Sequence, residues 1–181
     1  SMAGRTFDGQ QEVFDSWVNN GGTNRRSLVT DMTDDGLDTG LSLNVKAALY
    51  VTREVTRRVL AVKRTGSIIT ISSQMGHVGG PRRTLYCATK HAMEGMTKAL
   101  AWELGIAGIR VNTICPTFIE TTLTKPMFEN KEFLGYVESR IALGRLGQLE
   151  EMMGPLVFLA SDASSLVTGS SLMVDGGWTA A

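Results

Sequence analysis

Short apolar runs, most of them bounded by glycine or proline, recur along the chain from residue 15 onward. Two of them, GSIITIS over 66–72 and IRVNTIC over 109–115, are rich in β-branched residues and predict buried strands. A shorter run over 15–18 predicts a strand that leads into a Gly-containing turn, and the run over 171–174 predicts the last strand. Residues 1–14 are polar and aperiodic and are expected to be irregular.

Between these runs, apolar residues recur with helical spacing. Thr30 and Thr33 are candidate N-caps of a helix whose apolar stripe continues to Val59. A second long helix, with small residues on one face, is expected over 86–104. Shorter helices are expected over 127–133, 134–141 and 150–159. The alternation of strands and helices predicts an α/β fold, a parallel sheet with helices on both faces, in a single domain over 1–181.

Three side chains suited to acid/base chemistry meet in this arrangement. Ser73 follows the strand over 66–72, while Tyr86 and Lys90 stand four residues apart on one helix face. A neighbouring cation is the ordinary means of lowering the pKa of a phenol, so Lys90 is expected to lower the pKa of Tyr86. Such a Tyr-x-x-x-Lys pair also arises often by chance on a solvated helix face, and the spacing alone leaves both interpretations open.

Further polar residues have two interpretations each. Asn44 lies within the apolar stripe of the first helix, where an amide either hydrogen-bonds a neighbouring backbone or serves the site. Four residues of the loop after Ser73 either contact substrate or are solvated: Met75, His77, Arg82 and Arg83. Either arginine would suit a carboxylate of a sugar acid. The segment over 117–147 has the length and placement of a mobile cover on a site rather than of core.

Composition narrows the classes of function. The 181 residues carry 18 Lys and Arg against 18 Asp and Glu, which argues against a nucleic-acid partner. Cys87 and Cys115 are isolated, which argues against a disulfide framework or a zinc site, and no metal is expected. No apolar segment is long enough to span a bilayer, and no secretory pattern is visible. The expectation is a cytoplasmic protein without a membrane partner.

Several motifs, taken together, resemble the short-chain dehydrogenases/reductases, in that family's order over residues 18–178. The motifs are NNGG at 19–22, the helix with Asn44, Ser73, YCATK at 86–90, CPTFIETT at 115–122 and VDGGW at 174–178. The resemblance implies a Rossmann-like, doubly wound parallel sheet that binds NAD or NADP across the carboxyl ends of its strands. It also implies an oxidoreductase that interconverts a secondary alcohol and a ketone on a small-molecule substrate.

Two stretches bear on the substrate. NRR at 24–26 and MGPLVFLASDASSLVTG over 153–169 look most like the sugar and sugar-acid dehydrogenases that act on gluconate or deoxygluconate. A sugar, a polyol or a sugar acid is therefore the expected substrate. The 3-oxoacyl-[acyl-carrier-protein] reductases share most of these residues and are the alternative. The family commonly assembles through its long helices, which implies a homodimer or homotetramer.

The resemblance also assigns roles by position. Tyr86 would be the acid/base, Lys90 its electrostatic partner, and Ser73 the donor to the substrate oxygen. Ser72 is the alternative to Ser73, and Asn44 would anchor a water that links Lys90 to solvent. The cofactor-binding residues would be Asn20, Gly21 and Gly22 on the adenosine side, and Tyr86, Lys90, Pro116, Thr117, Ile119 and Thr121 toward the nicotinamide.

The chain also departs from the family pattern. Gly21 replaces an alanine and Thr117 replaces a glycine, so that a side chain would stand beside the nicotinamide. Nothing in 1–15 supplies the Gly-rich turn that holds the pyrophosphate, and the N-terminal βαβ portion is absent. We expect these parts in a portion omitted from the sequence given. The alternative is a truncated, non-catalytic subunit or scaffold.

Overall fold

The computed structural model describes residues 15–122 and 124–180, and the expectation for 1–14 lies outside this part. Six strands are present in it. They are β1 (Ser16–Asn19), β2 (Gly66–Ile71), β3 (Ile109–Pro116), β4 (Ile119–Glu120), β5 (Gly147–Gln148) and β6 (Ser171–Val174). One parallel sheet has the order β1-β2-β3-β6, and β4 pairs with β5 in a separate parallel pair.

Five α-helices connect and cover these strands within the same residues. They are α1 (Asp34–Leu41), α2 (Ala47–Ala61), α3 (Thr84–Leu104), α4 (Lys131–Ser139) and α5 (Met153–Ala160). A π-helical turn over Ser42–Lys46 joins α1 to α2. The turn over Gln74–Gly76 follows β2 and precedes the loop that leads into α3.

The central strands are buried on both faces. On one face Ile68 packs with Val59 of α2 and Leu104 of α3, and on the other Ile69 packs with Leu159 of α5. Runs of β-branched residues make a strand apolar on both faces, as a parallel sheet between two helical layers requires. The expected parallel sheet with helices on both faces is confirmed.

The segment between β3 and β6 has a hydrophobic cluster of its own. Val137 of α4 is fully buried beside Trp178. The ring centroid of Phe118 lies 6.1 Å from that of Phe128 and 5.9 Å from that of Phe133. The expectation that this segment covers a site rather than forming core is therefore wrong in part, because its aromatic residues bury one another. Its mobility stays a prediction.

The first long helix is not uniform. Thr33, not Thr30, caps α1, since the Thr33 side chain accepts a hydrogen bond from Gly36 N at 3.1 Å. The apolar stripe runs on into α2 as predicted, but the π-helical turn over Ser42–Lys46 interrupts the α-helical hydrogen bonding. Such turns are rare and occur frequently at functional sites.

Boundaries in the segment before β5 also differ from prediction. Asn130 accepts a hydrogen bond from Phe133 N at 3.0 Å and so caps α4. One helix therefore follows a 3-10 turn, in place of the two helices predicted over 127–133 and 134–141. The pair formed by β4 and β5 was not predicted, because two residues per strand carry no readable alternation.

Two general expectations can be compared with the described residues. No helix within 15–122 or 124–180 combines the length and apolarity that crossing a membrane requires. Cys87 and Cys115 are free thiols, the first half-buried and the second buried.

Candidate active site

A cleft of about 870 Å³ lies at the carboxyl ends of β1, β2 and β3. Asn20 follows β1, Ser72 follows β2 and Pro116 ends β3, while Tyr86 and Lys90 reach the cleft from α3. A smaller cavity of about 230 Å³ adjoins it. Both are lined by Asn24, Arg83, Tyr86, Thr124 and Met127. The parallel sheet thus gathers the predicted catalytic residues at one edge.

Ser73 is held in place by the turn that follows β2. Its hydroxyl accepts a hydrogen bond from Met75 N at 3.1 Å and donates one to Gln74 Oε1 at 2.7 Å. The side chain is buried and lines the smaller cavity together with Tyr86. The hydroxyl is thereby oriented beside the phenol before any substrate binds.

Ser72, the alternative to Ser73, has a different environment. Its backbone N–H donates to Ile114 O at 2.8 Å, which continues the pairing of β2 with β3. Its hydroxyl is buried and interacts with the Cys115 thiol. Ser73, rather than Ser72, is the serine whose hydroxyl interacts with the Tyr86 phenol.

Tyr86 and Lys90 lie one turn apart on α3, as their spacing predicts. Lys90 Nζ lies 5.7 Å from the centroid of the Tyr86 ring. The same Nζ donates a hydrogen bond to Ile71 O, at the end of β2, at 2.9 Å. Only 7% of Lys90 is exposed. The helix and the strand together therefore fix the ammonium beneath the phenol.

Burial dominates the electrostatics of this pair. It raises the pKa of the Tyr86 phenol, although the Ser73 hydroxyl and the Arg83 charge favour the phenolate. It also lowers the pKa of the Lys90 ammonium to about 8. The expectation that Lys90 lowers the pKa of Tyr86 is therefore wrong in this structure, because desolvation of the phenol outweighs the nearby charges.

Asn44 joins the π-helical turn to the loop after β1. Its Oδ1 accepts a hydrogen bond from Thr23 N at 2.7 Å, and its Nδ2 donates to Thr23 O at 2.9 Å and to Thr89 Oγ1 at 3.0 Å. Thr89 in turn donates to Tyr86 O at 2.8 Å. The backbone-bonding interpretation of Asn44 is the observed one. Both amide hydrogens are engaged, so a water at Asn44 has acceptors to bind, the backbone carbonyl and the remaining Oδ1 lone pair, but no free amide hydrogen.

The residues expected on the adenosine side line two cavities. Asn20 and Gly22 line the cleft, whereas Gly21 lines a pocket of about 300 Å³ along β1, next to Asn44. A Cβ at Gly22 would lie 3.3 Å from Asn44 Oδ1, so glycine there permits the close approach on which the Asn44 hydrogen bonds depend. Open space surrounds Gly21.

The residues expected near the nicotinamide lie together. Pro116 lines the cleft, and Thr117, Ile119 and Thr121 line the smaller cavity. Thr117 Oγ1 is buried without a hydrogen-bond partner in the described residues, and a cofactor group that offers a donor or an acceptor would fit it. The Thr121 hydroxyl instead lies 3.1 Å from that of Thr124.

The two arginines before α3 have different environments. Arg82 is exposed and has a φ of 60°, and it lines neither cavity. Arg83 is 5% exposed and lines both. Burial, and next the charge of Arg26, lower the pKa of Arg83 to about 10. Arg26, which sequence analysis gave no role, lines the cleft with its Cζ 4.3 Å from the ring centroid of Phe133.

Glu94 lies one turn beyond Lys90 on α3, a spacing that could have identified it. Its buried carboxylate accepts hydrogen bonds from Thr113 Oγ1 (2.9 Å), Ser171 Oγ (2.5 Å) and Cys115 Sγ (3.4 Å). His77 Nε2 lies 3.5 Å from it. Glu94, Cys115 and His77 are metal-ligating types within 4.8 Å. Burial raises the pKa of the Cys115 thiol to about 12, which keeps the thiol protonated as a hydrogen-bond donor to Glu94.

Comparison with known proteins gives consistent matches along the chain. Residues 5–179 match the family model described as enoyl-(acyl carrier protein) reductase. A 3-oxoacyl-[acyl-carrier-protein] reductase of Thermotoga maritima is 41% identical over 91% of this chain and 65% of its own length. A gluconate 5-dehydrogenase of Gluconobacter oxydans is 36% identical over 92% of this chain and 64% of its own. The chain thus spans slightly less than two thirds of these relatives.

Solved structures match equally well. A gluconate 5-dehydrogenase from Burkholderia cenocepacia, in complex with NADP and tartrate, has a TM-score of 0.90 and 33% identity over 93% of this chain and 66% of its own. A 4-hydroxyisoleucine dehydrogenase complexed with NADH has a TM-score of 0.89 and 35% identity over 92% of this chain and 69% of its own.

Proposed function

Because the chain belongs to the short-chain dehydrogenase/reductase family, we propose that it interconverts a secondary alcohol and a ketone with NAD or NADP. One observation carries the proposal. The Ser73 hydroxyl and the Tyr86 phenol line one cavity, and the Lys90 ammonium lies one helical turn below the phenol. A bound nicotinamide supplies or accepts the hydride, so the protein must supply or accept a proton at the same oxygen.

Tyr86 donates the proton to the substrate oxygen or accepts the proton from it. Its phenol is protonated at neutral pH in this structure, because burial raises its pKa, and it is therefore ready to donate to a ketone oxygen. Ser73 turns its hydroxyl hydrogen from Gln74 Oε1 to the same substrate oxygen and stabilises the developing charge on that oxygen. Lys90 stabilises the phenolate left behind. Asn44 holds the loop after β1 against α3 and so keeps the cleft in shape.

Cofactor binding is assigned to the residues along the strand ends. Asn20 and Gly22 line the cleft, and the unpartnered hydroxyl of Thr117 supports a polar group of the cofactor beside it. Lys90 keeps ammonium hydrogens beyond the one given to Ile71 O and offers them to the cofactor ribose.

The substrate is a sugar, a polyol or a sugar acid. This choice is supported by the relatives named gluconate 5-dehydrogenase and 2-dehydro-3-deoxy-D-gluconate 5-dehydrogenase, both 36% identical to the chain. A second candidate is reduction of a 3-oxoacyl thioester on acyl-carrier protein, supported by the 41% identity with a reductase of that kind. Acetoacetyl-CoA serves as the probe for it.

Assembly as a homodimer or homotetramer is part of the proposal. Apolar residues are exposed on α2 and α3, among them Leu49, Tyr50 and Trp102, and a second copy would cover them. The free cysteines support a reducing compartment, such as the cytoplasm.

The test is turnover of the Tyr86→Phe variant. With NAD or NADP and D-gluconate, the wild-type protein should reduce the cofactor, and Tyr86→Phe should lower kcat by about 100-fold or more with unchanged folding. Tyr136→Phe removes an exposed phenolic hydroxyl elsewhere and is the matched control. Near-normal kcat in Tyr86→Phe would overturn the assignment. No response of protein fluorescence to NADH or NADPH would favour a non-catalytic subunit.

A further inference from the structure

Arg83 occupies a position in the cleft that the proton-transfer chemistry does not require. It immediately precedes α3, three residues before Tyr86, and forms part of both the cleft and the smaller cavity. It is as buried as Lys90, with 5% of its surface exposed. A guanidinium so placed favours the Tyr86 phenolate by its charge but neither gives nor takes the proton itself.

The guanidinium of Arg83 has no anionic partner in the protein. Among residues 15–122 and 124–180 it makes no ion pair and no hydrogen bond, and no Asp or Glu lines either cavity. The neighbouring charge with the largest effect on its pKa is Arg26, which carries the same sign. Buried arginines are almost always paired, because a guanidinium removed from water loses its hydration. The unpaired positive charge of Arg83 therefore favours the binding of an anion in the cleft.

Arg26 reinforces this charge from the rim. It is exposed, and its guanidinium lies over the face of Phe133 with Cζ 4.3 Å from the ring centroid. Stacking on a ring leaves the N–H groups at the edge of the guanidinium available for hydrogen bonds. Asn24 and Asn130, which also line the cleft, add neutral donors and acceptors suited to hydroxyl groups.

We propose that Arg83, assisted by Arg26, binds a carboxylate of the substrate, so that the site accepts hydroxy acids and oxo acids in preference to neutral sugars and polyols. The proposal rests on the proposed function and narrows its substrate class. A carboxylate matches the planar fork of a guanidinium with two parallel hydrogen bonds, and it removes the repulsion between the two arginines. The hydroxyl to be oxidised then lies toward Tyr86 and Ser73.

A phosphate group of the cofactor is also an anion that a guanidinium can bind, and it is the alternative ligand for Arg83. Arg83 lies on the wall that carries Tyr86, on the loop before α3, whereas Asn20 and Gly22 come from the β1 loop. This position favours the substrate. If Arg83 binds a cofactor phosphate instead, replacing Arg83 should weaken binding of the cofactor rather than binding of the substrate.

The experiment compares Arg83→Gln, Arg83→Lys and Arg82→Gln with the wild-type protein. Arg82 is exposed, adjacent in sequence and outside both cavities, which makes it the matched control. The substrates are D-gluconate and the neutral polyol D-glucitol. Arg83→Gln should raise KM for D-gluconate by roughly 10- to 100-fold, the loss expected of a charge-assisted hydrogen bond. Arg83→Lys should raise KM for D-gluconate less, because lysine keeps the positive charge but cannot form two parallel hydrogen bonds with a carboxylate.

Selectivity distinguishes binding of an anion from a structural role. In Arg83→Gln, loss of the charge that favours the Tyr86 phenolate should lower kcat by a similar factor for D-gluconate and D-glucitol, whereas KM for D-glucitol and the Kd for NADPH and NADH should stay within about 2-fold of wild type. Arg82→Gln should match wild type throughout. Equal rises of KM for D-gluconate and D-glucitol would overturn the proposal in favour of packing. Weaker cofactor binding with unchanged KM for D-gluconate would overturn it in favour of a cofactor phosphate.

A binding measurement covers the case in which Arg83→Gln fails to fold or D-gluconate is not oxidised. Calorimetric titration of the wild-type protein with succinate and with its neutral diamide, both with cofactor present, requires neither a variant nor turnover. Succinate should bind at least about 10-fold more tightly than the diamide. Equal affinities, or binding of neither, would overturn the carboxylate site. Absent turnover with retained succinate binding would count against the proposed reaction alone.

Discussion

Lys90 allows a quantitative prediction about the electrostatics of the cleft. Burial lowers the pKa of its ammonium to about 8 from 10.5. Its Nζ donates to Ile71 O at 2.9 Å, and the titratable groups around it are Tyr86, Glu94 and Cys115. The protonated lysine therefore opposes folding, even though it serves the proposed chemistry. Lys90→Met removes the ammonium, and with it both the free-energy cost of burying its charge and its titration.

The sign of the pH dependence follows from the protons bound in each state. The unfolded chain keeps the proton of Lys90 up to its ordinary pKa, whereas the folded protein releases it from about pH 8 upward. The unfolded chain thus binds more protons in this interval, and stability rises with pH there. With these values, Lys90 adds about 2 kcal/mol to the free energy of unfolding between about pH 7 and about pH 9.5.

Urea unfolding of the wild-type protein and of Lys90→Met over this pH range measures the effect. The difference between the two free energies of unfolding should shift by about 2 kcal/mol in favour of the wild type as the pH rises. Other titrating groups, such as Cys115, are present in both proteins, so their contributions to the pH dependence of the free energy of unfolding largely cancel in this difference. Lys98→Met removes an exposed lysine from the same helix and controls for the loss of a charge. A difference that is constant within about 0.5 kcal/mol, or that falls, would refute the reasoning.

Two further predictions concern the stability of the fold. Asn44→Ala removes three hydrogen bonds and leaves half-buried backbone groups of Thr23 unpaired, so urea unfolding should show a loss of about 2–4 kcal/mol; a loss below about 1 kcal/mol would contradict this role. Gly108→Ala and Gly144→Ala both place a Cβ at positive φ, at a cost of about 1–2 kcal/mol each. The first should cost about 1 kcal/mol more, because its Cβ meets Thr65 Cγ2 at 2.7 Å; equal losses would show that Thr65 moves aside freely.

The parts of the fold that sequence predicts are those with a strong local signal. The β-branched runs that end at Ile71 and Pro116 are both central strands, because a strand buried on two faces needs little besides apolar residues. Tyr86 and Lys90 share a face because a spacing of four residues is only slightly more than one helical turn. The placement of Ser73 beside them also follows, since the carboxyl ends of parallel strands meet at one edge of the sheet.

Other parts depend on interactions that periodicity does not encode. The π-helical turn at Ser42–Lys46 shifts hydrogen bonds within a helix whose apolar stripe looks continuous. Burial of Arg83 rather than Arg82 depends on the backbone of the preceding loop, where Arg82 has a positive φ. The raised pKa of Tyr86 depends on how far the phenol is removed from water, which a spacing of residues does not reveal. Such features require the three-dimensional structure.

The most direct test of the central claim is transfer of a labelled hydride. The protein is given NADH or NADPH carrying deuterium at the transferring position of C4, together with 5-dehydro-D-gluconate or, for the second candidate, acetoacetyl-CoA, and the product mass is measured. The account predicts one deuterium on the new carbinol carbon, formed about 100-fold or more slowly by Tyr86→Phe. Unlabelled product, or label transferred at the wild-type rate by Tyr86→Phe, would contradict it.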